Sequence, residues 1–275
     1  MSSRRPLIDS VIALLIDNYV FPDIAERAAA VLRRKDYDHL VEDPEFAGAV
    51  TTDLQSVNGD KHLRLLHEPA RPQTRTRQHC FEKVEILEGN IGYLEITLLR
   101  DPREFGDITA AAMTLIADTD GLILDLRRNR GGDPGMVALI CAYLFDEFTH
   151  LNDLYLRRND LTVQFWTPPY VPGRRFGGSK PIWVLTGPTT FSGGEELAYN
   201  LQQLGRANII GEPTRGGAHP NTWHRITEDL FVTIPDARAI NPVTKTNWEG
   251  VGVTPDVQVP AQDALVHAQE LARSR

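Results

Sequence analysis

The stretch Val184-Leu-Thr-Gly-Pro-Thr-Thr-Phe-Ser192-Gly-Gly-Glu195-Glu196-Leu-Ala-Tyr-Asn-Leu decides the fold of this chain. An apolar β-type run, Pro181–Leu185, enters a turn of glycine, proline and threonine, and a helical pattern begins directly after Ser192. This order places a hydroxyl group at a helix N-terminus, where unpaired N–H groups and the positive end of the helix dipole stabilise a developing anion. A nucleophile elbow has the same strand–turn–helix context, although Phe191 departs from its usual spacing.

An ordinary capped helix is an equally good interpretation of this stretch. Ser192 would then be the N-cap residue, and Glu195 would close a capping box from the third helical position. Glu195 and Glu196 would simply be first-turn acids that the helix dipole favours. The rest of the chain has to decide between a nucleophile and a cap.

A second strand-to-helix turn carries paired glycines. Gly121–Asp125 has the pattern of a buried strand, and the polar segment Arg127-Arg-Asn129-Arg-Gly131-Gly132-Asp-Pro-Gly135 follows it. Glycine permits positive φ and close backbone approach, so N–H groups at this turn can form half of an oxyanion hole. A tight structural turn is the alternative. A phosphate loop is disfavoured because no Gly-Lys-Ser/Thr sequence follows.

Apolar periodicity divides the chain into a helical N-terminal part and an α/β part. We predict an N-terminal helical subdomain at 1–67, a Pro- and Arg-rich linker at 68–79, and an α/β core at 80–275. Predicted helices are Leu7–Tyr19, Ile24–Arg34, Pro44–Val57, Phe105–Ile116, Pro134–Leu144, Gly194–Leu204 and Asp263–Arg273. Predicted strands are Lys61–Leu66, Phe81–Ile86, Ile91–Glu95, Gly121–Asp125, Leu154–Arg157, Pro181–Leu185, Asn208–Gly211 and Phe231–Pro235. Their alternation predicts a layered sheet with parallel pairing.

Composition narrows the class of protein. The 275-residue chain has a net charge of -8, which argues against a nucleic-acid partner. Asp9 and Asp17 interrupt the apolar N-terminal stretch, so it resembles an amphipathic helix more than a signal peptide, and no run reaches the roughly 20 apolar residues of a membrane span. We therefore expect a cytoplasmic protein. Cys80 and Cys141 lie in no metal or redox motif, and we expect no metal and no cofactor.

Four segments in order resemble the C-terminal-processing (tail-specific) serine peptidase family. The branch that they resemble most contains the interphotoreceptor retinoid-binding protein modules and, more distantly, the tricorn protease core. The resemblance extends over about residues 80–260 and implies a crotonase/ClpP-like α/β core. The segments are Leu-Asp125-Leu-Arg127-x-Asn129-x-Gly131-Gly132, Thr-Phe-Ser192-Gly-Gly-Glu195-Glu196, Gly211-Glu-Pro-Thr214-x-Gly216-Gly217-Ala-His219-Pro220 and Trp248-Glu249-Gly250-Val-Gly252-Val-x-Pro255-Asp256.

Two features depart from the better-known members of that family. Those members carry a PDZ domain, whereas only a short stretch here separates the His62 segment from the core. They also use a Ser–Lys dyad, and the position equivalent to the lysine holds Gly217. Glycine cannot accept a proton from serine, so a dyad of that kind is excluded at this position.

The resemblance to the tricorn-like arrangement implies a Ser–His–Glu triad. Ser192 would be the nucleophile, His62 the base and Glu249 the carboxylate that orients the imidazole. The N–H of Gly193 and that of Gly131 or Gly132 would hold the oxyanion. His219, close in sequence to the missing lysine, is the alternative base, and Lys61 is another if it is desolvated. The five-residue step from His219 to His224 does not fit a helical metal-ligand pair.

These expectations define a serine hydrolase, specifically a peptidase that acts on peptides or protein tails through an acyl-enzyme. The expected partner is a peptide or a small acyl substrate, and the oligomeric state is not indicated. A non-catalytic carrier of retinoids or fatty acids is the alternative from another class, because the retinoid-binding relatives use this fold. An acyltransferase or cyclase is a third, since it shares the covalent step. The polar segment 156–178 has the character of a flap.

Overall fold

The computed structural model describes residues 3–69 and 80–274, so most of the predicted linker lies outside the described residues. The chain groups into two compact units. The first comprises residues within Met1–Thr76 together with Leu154–Val163 and His219–Ala239, and the second comprises Arg77–Asp153, Gln164–Ala218 and Ile240–Arg275. The first unit therefore takes in two segments that lie beyond the predicted boundary at residue 67.

In the first unit, three helices pack on one face of an antiparallel sheet. The helices are α1 (Arg5–Asn18), α2 (Pro22–Arg34) and α3 (Asp43–Gln55), and each has a proline in its first turn, where the missing N–H costs nothing. The strands are β1 (Arg64–His67), β9 (Asn221–Arg225) and β10 (Leu230–Pro235), in the order β1-β10-β9. Apolar side chains of the helices, such as Leu15 and Phe46, form one core with Leu65 and Val232 of the sheet.

The second unit is built on a six-stranded sheet. Its strands are β2 (Phe81–Leu87), β3 (Ile91–Ile96), β4 (Gly121–Asp125), β7 (Ile182–Thr186), β8 (Asn208–Gly211) and β12 (Val257–Gln258). They lie in the order β12-β8-β7-β4-β3-β2 and are parallel except for the antiparallel pair β2 and β3. The helices are α4 (Pro102–Ile116), α5 (Pro134–Leu144), α6 (Gly193–Gln203) and α7 (Ala264–Arg273). Strands β4 and β7 are buried along their whole length, as their uninterrupted apolar sequences predict.

A further three-stranded sheet is formed by β5 (His150–Leu156), β6 (Leu161–Trp166) and β11 (Ala237–Ile240). These strands lie in the order β11-β5-β6. The predicted layered α/β core with an N-terminal helical part is confirmed. Strands β6, β9, β11 and β12 were not predicted. The sequence of β9 is polar and half-exposed, and β11 and β12 have only four and two residues, so these three sequences resemble loops.

The predicted strand at Lys61–Leu66 begins later, at Arg64. The three residues before it form a turn because the Asp60 carboxylate accepts the backbone N–H of His62 at 3.0 Å. His62 therefore lies at the entrance of β1 and not within it. Over residues 3–69 and 80–274, none of the helices has the length and apolarity that a bilayer crossing needs.

Candidate active site

Ser192 lies at the turn between β7 and α6, as the sequence predicts. It is half-buried, and its backbone has φ 54° and ψ -122°, a conformation that costs a non-glycine residue free energy. Such a strained strand-to-helix turn presents a serine hydroxyl at a helix N-terminus. The nucleophile interpretation therefore has a geometric basis that a plain N-cap serine does not require.

Glu195 holds this turn in place. Its buried carboxylate accepts the Ser192 backbone N–H at 2.8 Å, which forms part of the predicted capping box. It also accepts the Thr214 hydroxyl at 2.6 Å and the backbone N–H groups of Gly216 and Gly217 at 2.5 and 2.9 Å. Burial raises the pKa of Glu195, and these four hydrogen bonds partly offset that rise. The glycine at the position of the family lysine thus binds the residue that orients Ser192.

The glycine pair after β4 packs directly against the Ser192 turn. A Cβ atom on Gly131, at φ +96°, would lie 2.7 Å from the Ser192 Cβ and 3.0 Å from the Gly193 nitrogen. One on Gly132, at φ +139°, would lie 1.9 Å from the Leu99 carbonyl oxygen. Only glycine fits at these two positions. Because glycine has no side chain, the two backbone turns can approach each other closely.

The N–H groups of these turns are not equivalent. The Gly131 N–H donates to the Asn129 side chain at 2.8 Å, so it is already engaged. Within the part of the chain that the structure describes, the N–H groups of Gly132 and Gly193 donate no hydrogen bond. Of the two predicted partners for Gly193, Gly132 is therefore the one with a free donor.

Glu249 lies in a tight turn of the second unit. Its carboxylate accepts the backbone N–H of Ala218 at 2.5 Å, directly after Gly217. The neighbouring Trp248 indole donates to the Gly217 carbonyl at 2.9 Å. The predicted carboxylate is thus bound to the same backbone segment that surrounds Glu195.

In the first unit one buried carboxylate, Asp60, contacts both candidate histidines: the ring of His219 and the backbone N–H of His62. The Asp60 carboxylate accepts the Tyr19 hydroxyl at 2.9 Å and contacts His219 Nδ1, also at 2.9 Å, as well as binding the His62 backbone N–H. Burial alone would raise the pKa of Asp60. The hydrogen bond and charge of His219, together with the hydrogen bonds from the Tyr19 hydroxyl and the His62 backbone N–H, lower the pKa overall. Asp60 was not predicted as a site residue from the sequence. Its Asp-x-His spacing, which favours a local turn, was the available signal.

The two candidate histidines, His62 and His219, are fixed by different contacts. Both are buried, His62 at 7% and His219 at 4% exposure. The His219 ring binds Asp60 through Nδ1 and packs edge-on against Phe21 at 5.2 Å between ring centroids. The His62 carbonyl accepts the Thr233 hydroxyl at 2.6 Å, which ties its backbone to β10. A carboxylate on Nδ1 selects the tautomer whose Nε2 can accept a proton, and this arrangement is present at His219.

Glu196, one residue beyond Glu195, is a buried acid in the first turn of α6. Burial raises its pKa to about 7, the nearby Asn152 amide lowers it in part, and the charge of Asp133 raises it. Asn152 is fully buried, and within the described ranges its amide makes no hydrogen bond of good geometry, so its approach to Glu196 is loose. Glu196 is therefore more than an exposed first-turn acid, contrary to the simplest interpretation of the sequence.

We expect the free energy of unfolding to depend on pH through Glu196. Between pH 4.5 and 7 the unfolded chain releases this proton while the folded chain retains it, so stability falls by up to about 3 kcal/mol as the pH rises. Urea unfolding at pH 5 and pH 8 should show that Glu196→Gln removes this fall, whereas the exposed-site control Glu45→Gln preserves it. An unchanged pH dependence in Glu196→Gln would contradict the assignment.

Comparison with known proteins now defines the class. Residues 90–259 match the model of peptidase family S41, and residues 2–90 match an N-terminal domain described for that family in eukaryotic IRBP. The chain belongs to peptidase family S41. The sequence-level resemblance to tail-specific serine peptidases is thereby confirmed.

Individual relatives agree with this assignment. A carboxy-terminal-processing protease from Bartonella bacilliformis is 29% identical over 185 residues, which is 63% of this chain and 39% of that protein. The chain spans less than half the length of the curated relatives that it matches. Its fold resembles a putative peptidase from Parabacteroides merdae, with 17% identity, a TM-score of 0.72, and coverage of 99% of this chain and 97% of that one. It also resembles tricorn protease, with 15% identity and a TM-score of 0.63, over 98% of this chain and 36% of that one.

Proposed function

We propose that this chain is a serine peptidase that cleaves peptides or protein tails through an acyl-enzyme. The observation that carries the proposal is the Ser192 turn, where a serine at positive φ stands at a helix N-terminus beside the unengaged N–H groups of Gly132 and Gly193. Family membership supports peptide substrates, and the name of the Bartonella relative supports action at carboxyl termini.

The proposed reaction follows from these groups. Ser192 Oγ attacks the carbonyl carbon of the scissile amide while His62 takes the hydroxyl proton. The N–H groups of Gly132 and Gly193 stabilise the resulting oxyanion, and each such donor is typically worth about 3–4 kcal/mol of the barrier. The imidazolium then protonates the leaving amine as the C–N bond breaks, which leaves an ester on Ser192. Water, deprotonated by the same imidazole, hydrolyses that ester.

The assignment of the base has two versions. In the first, His62 is the base and Glu249 orients or charge-stabilises it, as the resemblance to the tricorn-like arrangement implies. In the second, His219 is the base and Asp60 orients it, which their 2.9 Å contact supports. Both versions use an imidazole in place of an amine as the base, so both account for a glycine at position 217.

Peptidase activity is tested with the purified chain and a pool of unstructured peptides with free carboxyl termini, read by mass spectrometry. We expect shortened products and, after rapid acid quench, a mass increase on the peptide containing Ser192. Adding a high concentration of an amine separates the related reactions, because an acyltransferase yields mainly amide products and a peptidase mainly free acids. An intact pool with no adduct, alongside quenching of tryptophan fluorescence by retinoids or fatty acids, would overturn the proposal in favour of a carrier.

A further inference from the structure

The sheet β1-β10-β9 of the first unit has one face in the core and one facing outward. Leu65 and Val232 are cross-strand partners and pack against the three helices. Side chains alternate between the faces of a strand, so the neighbouring positions point the other way. We call these positions the β9 surface; it comprises Arg64, Leu66, Trp223, Arg225 and Phe231.

The β9 surface exposes aromatic area. Trp223 is 55% exposed although it lies inside a strand, and its ring approaches that of Phe231 with 6.1 Å between centroids. Leu66 pairs with Phe231 on the adjacent strand, so the apolar strip crosses all three strands. An exposed, clustered apolar surface with an aromatic anchor is typical of a binding site.

The edge of the sheet beside Trp223 is open. Among the described residues, β9 pairs with β10 alone, which leaves one row of its backbone N–H and C=O groups available. Such a row is a template for an added strand. β9 begins two residues after His219, and β1 begins two residues after His62. A peptide bound along β9 would therefore have one end at the candidate bases.

The charges on this surface are unevenly distributed. The Arg64 side chain is exposed and its guanidinium makes no hydrogen bond or ion pair to any described residue, in a chain of net charge -8. It lies in the row with Trp223, at the end of the sheet near the histidines. Arg225 donates only to the carbonyls of Thr227 and Glu228. Glu228 itself belongs to the turn at the opposite end, so a ligand carboxylate is favoured near Arg64 and opposed near the turn.

We propose that the β9 surface binds an extended segment of the peptide substrate as an added strand along β9. Apolar side chains of the peptide pack on Trp223 and Phe231, and a carboxylate of the peptide lies beside Arg64. This inference rests on the proposed function, because it takes a peptide as the substrate. It adds a substrate class, namely extended segments that combine apolar residues with an acidic one.

The test uses the full chain with Ser192→Ala, so that binding is measured without turnover. Fluorescein-labelled ten-residue peptides alternating leucine or phenylalanine with glutamate are titrated by fluorescence polarisation. We expect Trp223→Ala to raise Kd about tenfold and Arg64→Gln about threefold, since a buried aromatic contact contributes more than an exposed charge. Phe148→Ala, which removes a 61% exposed ring from the second unit, is the matched control and should leave Kd unchanged.

Two peptide variants test the binding mode. N-methylation at every second residue should weaken binding at least tenfold in one register and little in the other, because only alternate N–H groups face β9. Replacing glutamate with lysine should weaken binding about fivefold. The proposal for the β9 surface would be overturned if the Ser192→Ala protein bound no peptide, or if adding Trp223→Ala left its Kd unchanged. Either result would count against this surface even if the wild-type chain cleaves peptides. Trp223-dependent binding without any cleavage would support the surface and count against the peptidase.

Discussion

Replacing Ser192 with alanine is expected to lower kcat by about 10⁴- to 10⁶-fold and to abolish labelling by a fluorophosphonate probe. The covalent step needs the hydroxyl oxygen, and no neighbouring group can replace it. Residual activity should come from binding and from the N–H groups of Gly132 and Gly193, which the substitution leaves in place. Turnover of a peptide substrate and probe labelling are measured on the same protein preparation.

The control for this substitution is Ser179→Ala, at an exposed serine outside the Ser192 turn. It should retain both wild-type turnover and labelling. Loss of the Ser192 hydroxyl should lower stability by only about 1 kcal/mol, because it removes the side-chain half of the capping box and leaves the Glu195 bond to the Ser192 backbone N–H in place. Retained turnover in a folded Ser192→Ala protein would remove the nucleophile and, with it, the proposed mechanism.

Of the two variants His62→Ala and His219→Ala, only the one that removes the catalytic base is expected to lose most of its activity. The expected loss in kcat is about 10³- to 10⁵-fold. The proposed triad predicts the larger loss for His62→Ala, with His219→Ala acting mainly on the stability of the Asp60 network. The kcat–pH profile should lose its imidazole ionisation in the variant that lacks the base. His39→Ala, at an exposed histidine, is the control and should keep the wild-type profile.

Asp60→Asn and Glu249→Gln then assign the orienting carboxylate. If His62 is the base, Glu249→Gln should lower kcat strongly, and Asp60→Asn should act through the His62 backbone with a smaller effect. If His219 is the base, Asp60→Asn should cost about 10⁴-fold, because an amide at Nδ1 favours the wrong tautomer. Near-wild-type activity in both histidine variants would eliminate both versions of the mechanism.

Several parts of the candidate site follow from local sequence. The Gly131-Gly132 turn and the Ser192 turn each require a backbone conformation that their neighbouring residues encode, and an apolar strand precedes each of them. Because both strands are parallel neighbours in the sheet, β4 beside β7, their carboxyl ends meet and the two turns lie together. This adjacency is implied once parallel pairing is predicted from the strand–helix alternation.

Other parts depend on contacts between distant segments. Nothing local to Glu195 shows that its carboxylate binds Gly216 and Gly217 as well as the Ser192 backbone, because a capping box needs only the serine. The choice between Gly131 and Gly132 as a donor likewise depended on the orientation of the Asn129 side chain. The burial of Glu196 could not be predicted, since acids in the first turn of a helix are ordinarily exposed.

By itself the sequence determined the layered α/β class, the position of Ser192 at a helix N-terminus and the glycine pair beside it, because short-range periodicity and turn chemistry encode these features. Only the tertiary structure decided which carboxylate meets which imidazole. Asp60 and His219 are 159 positions apart, and they meet because β1 and β9 both pair with β10, which brings the residues preceding each strand to one end of the sheet. Strand pairing of this kind depends on side chains from three separate segments packing into one core, and no single segment contains that information.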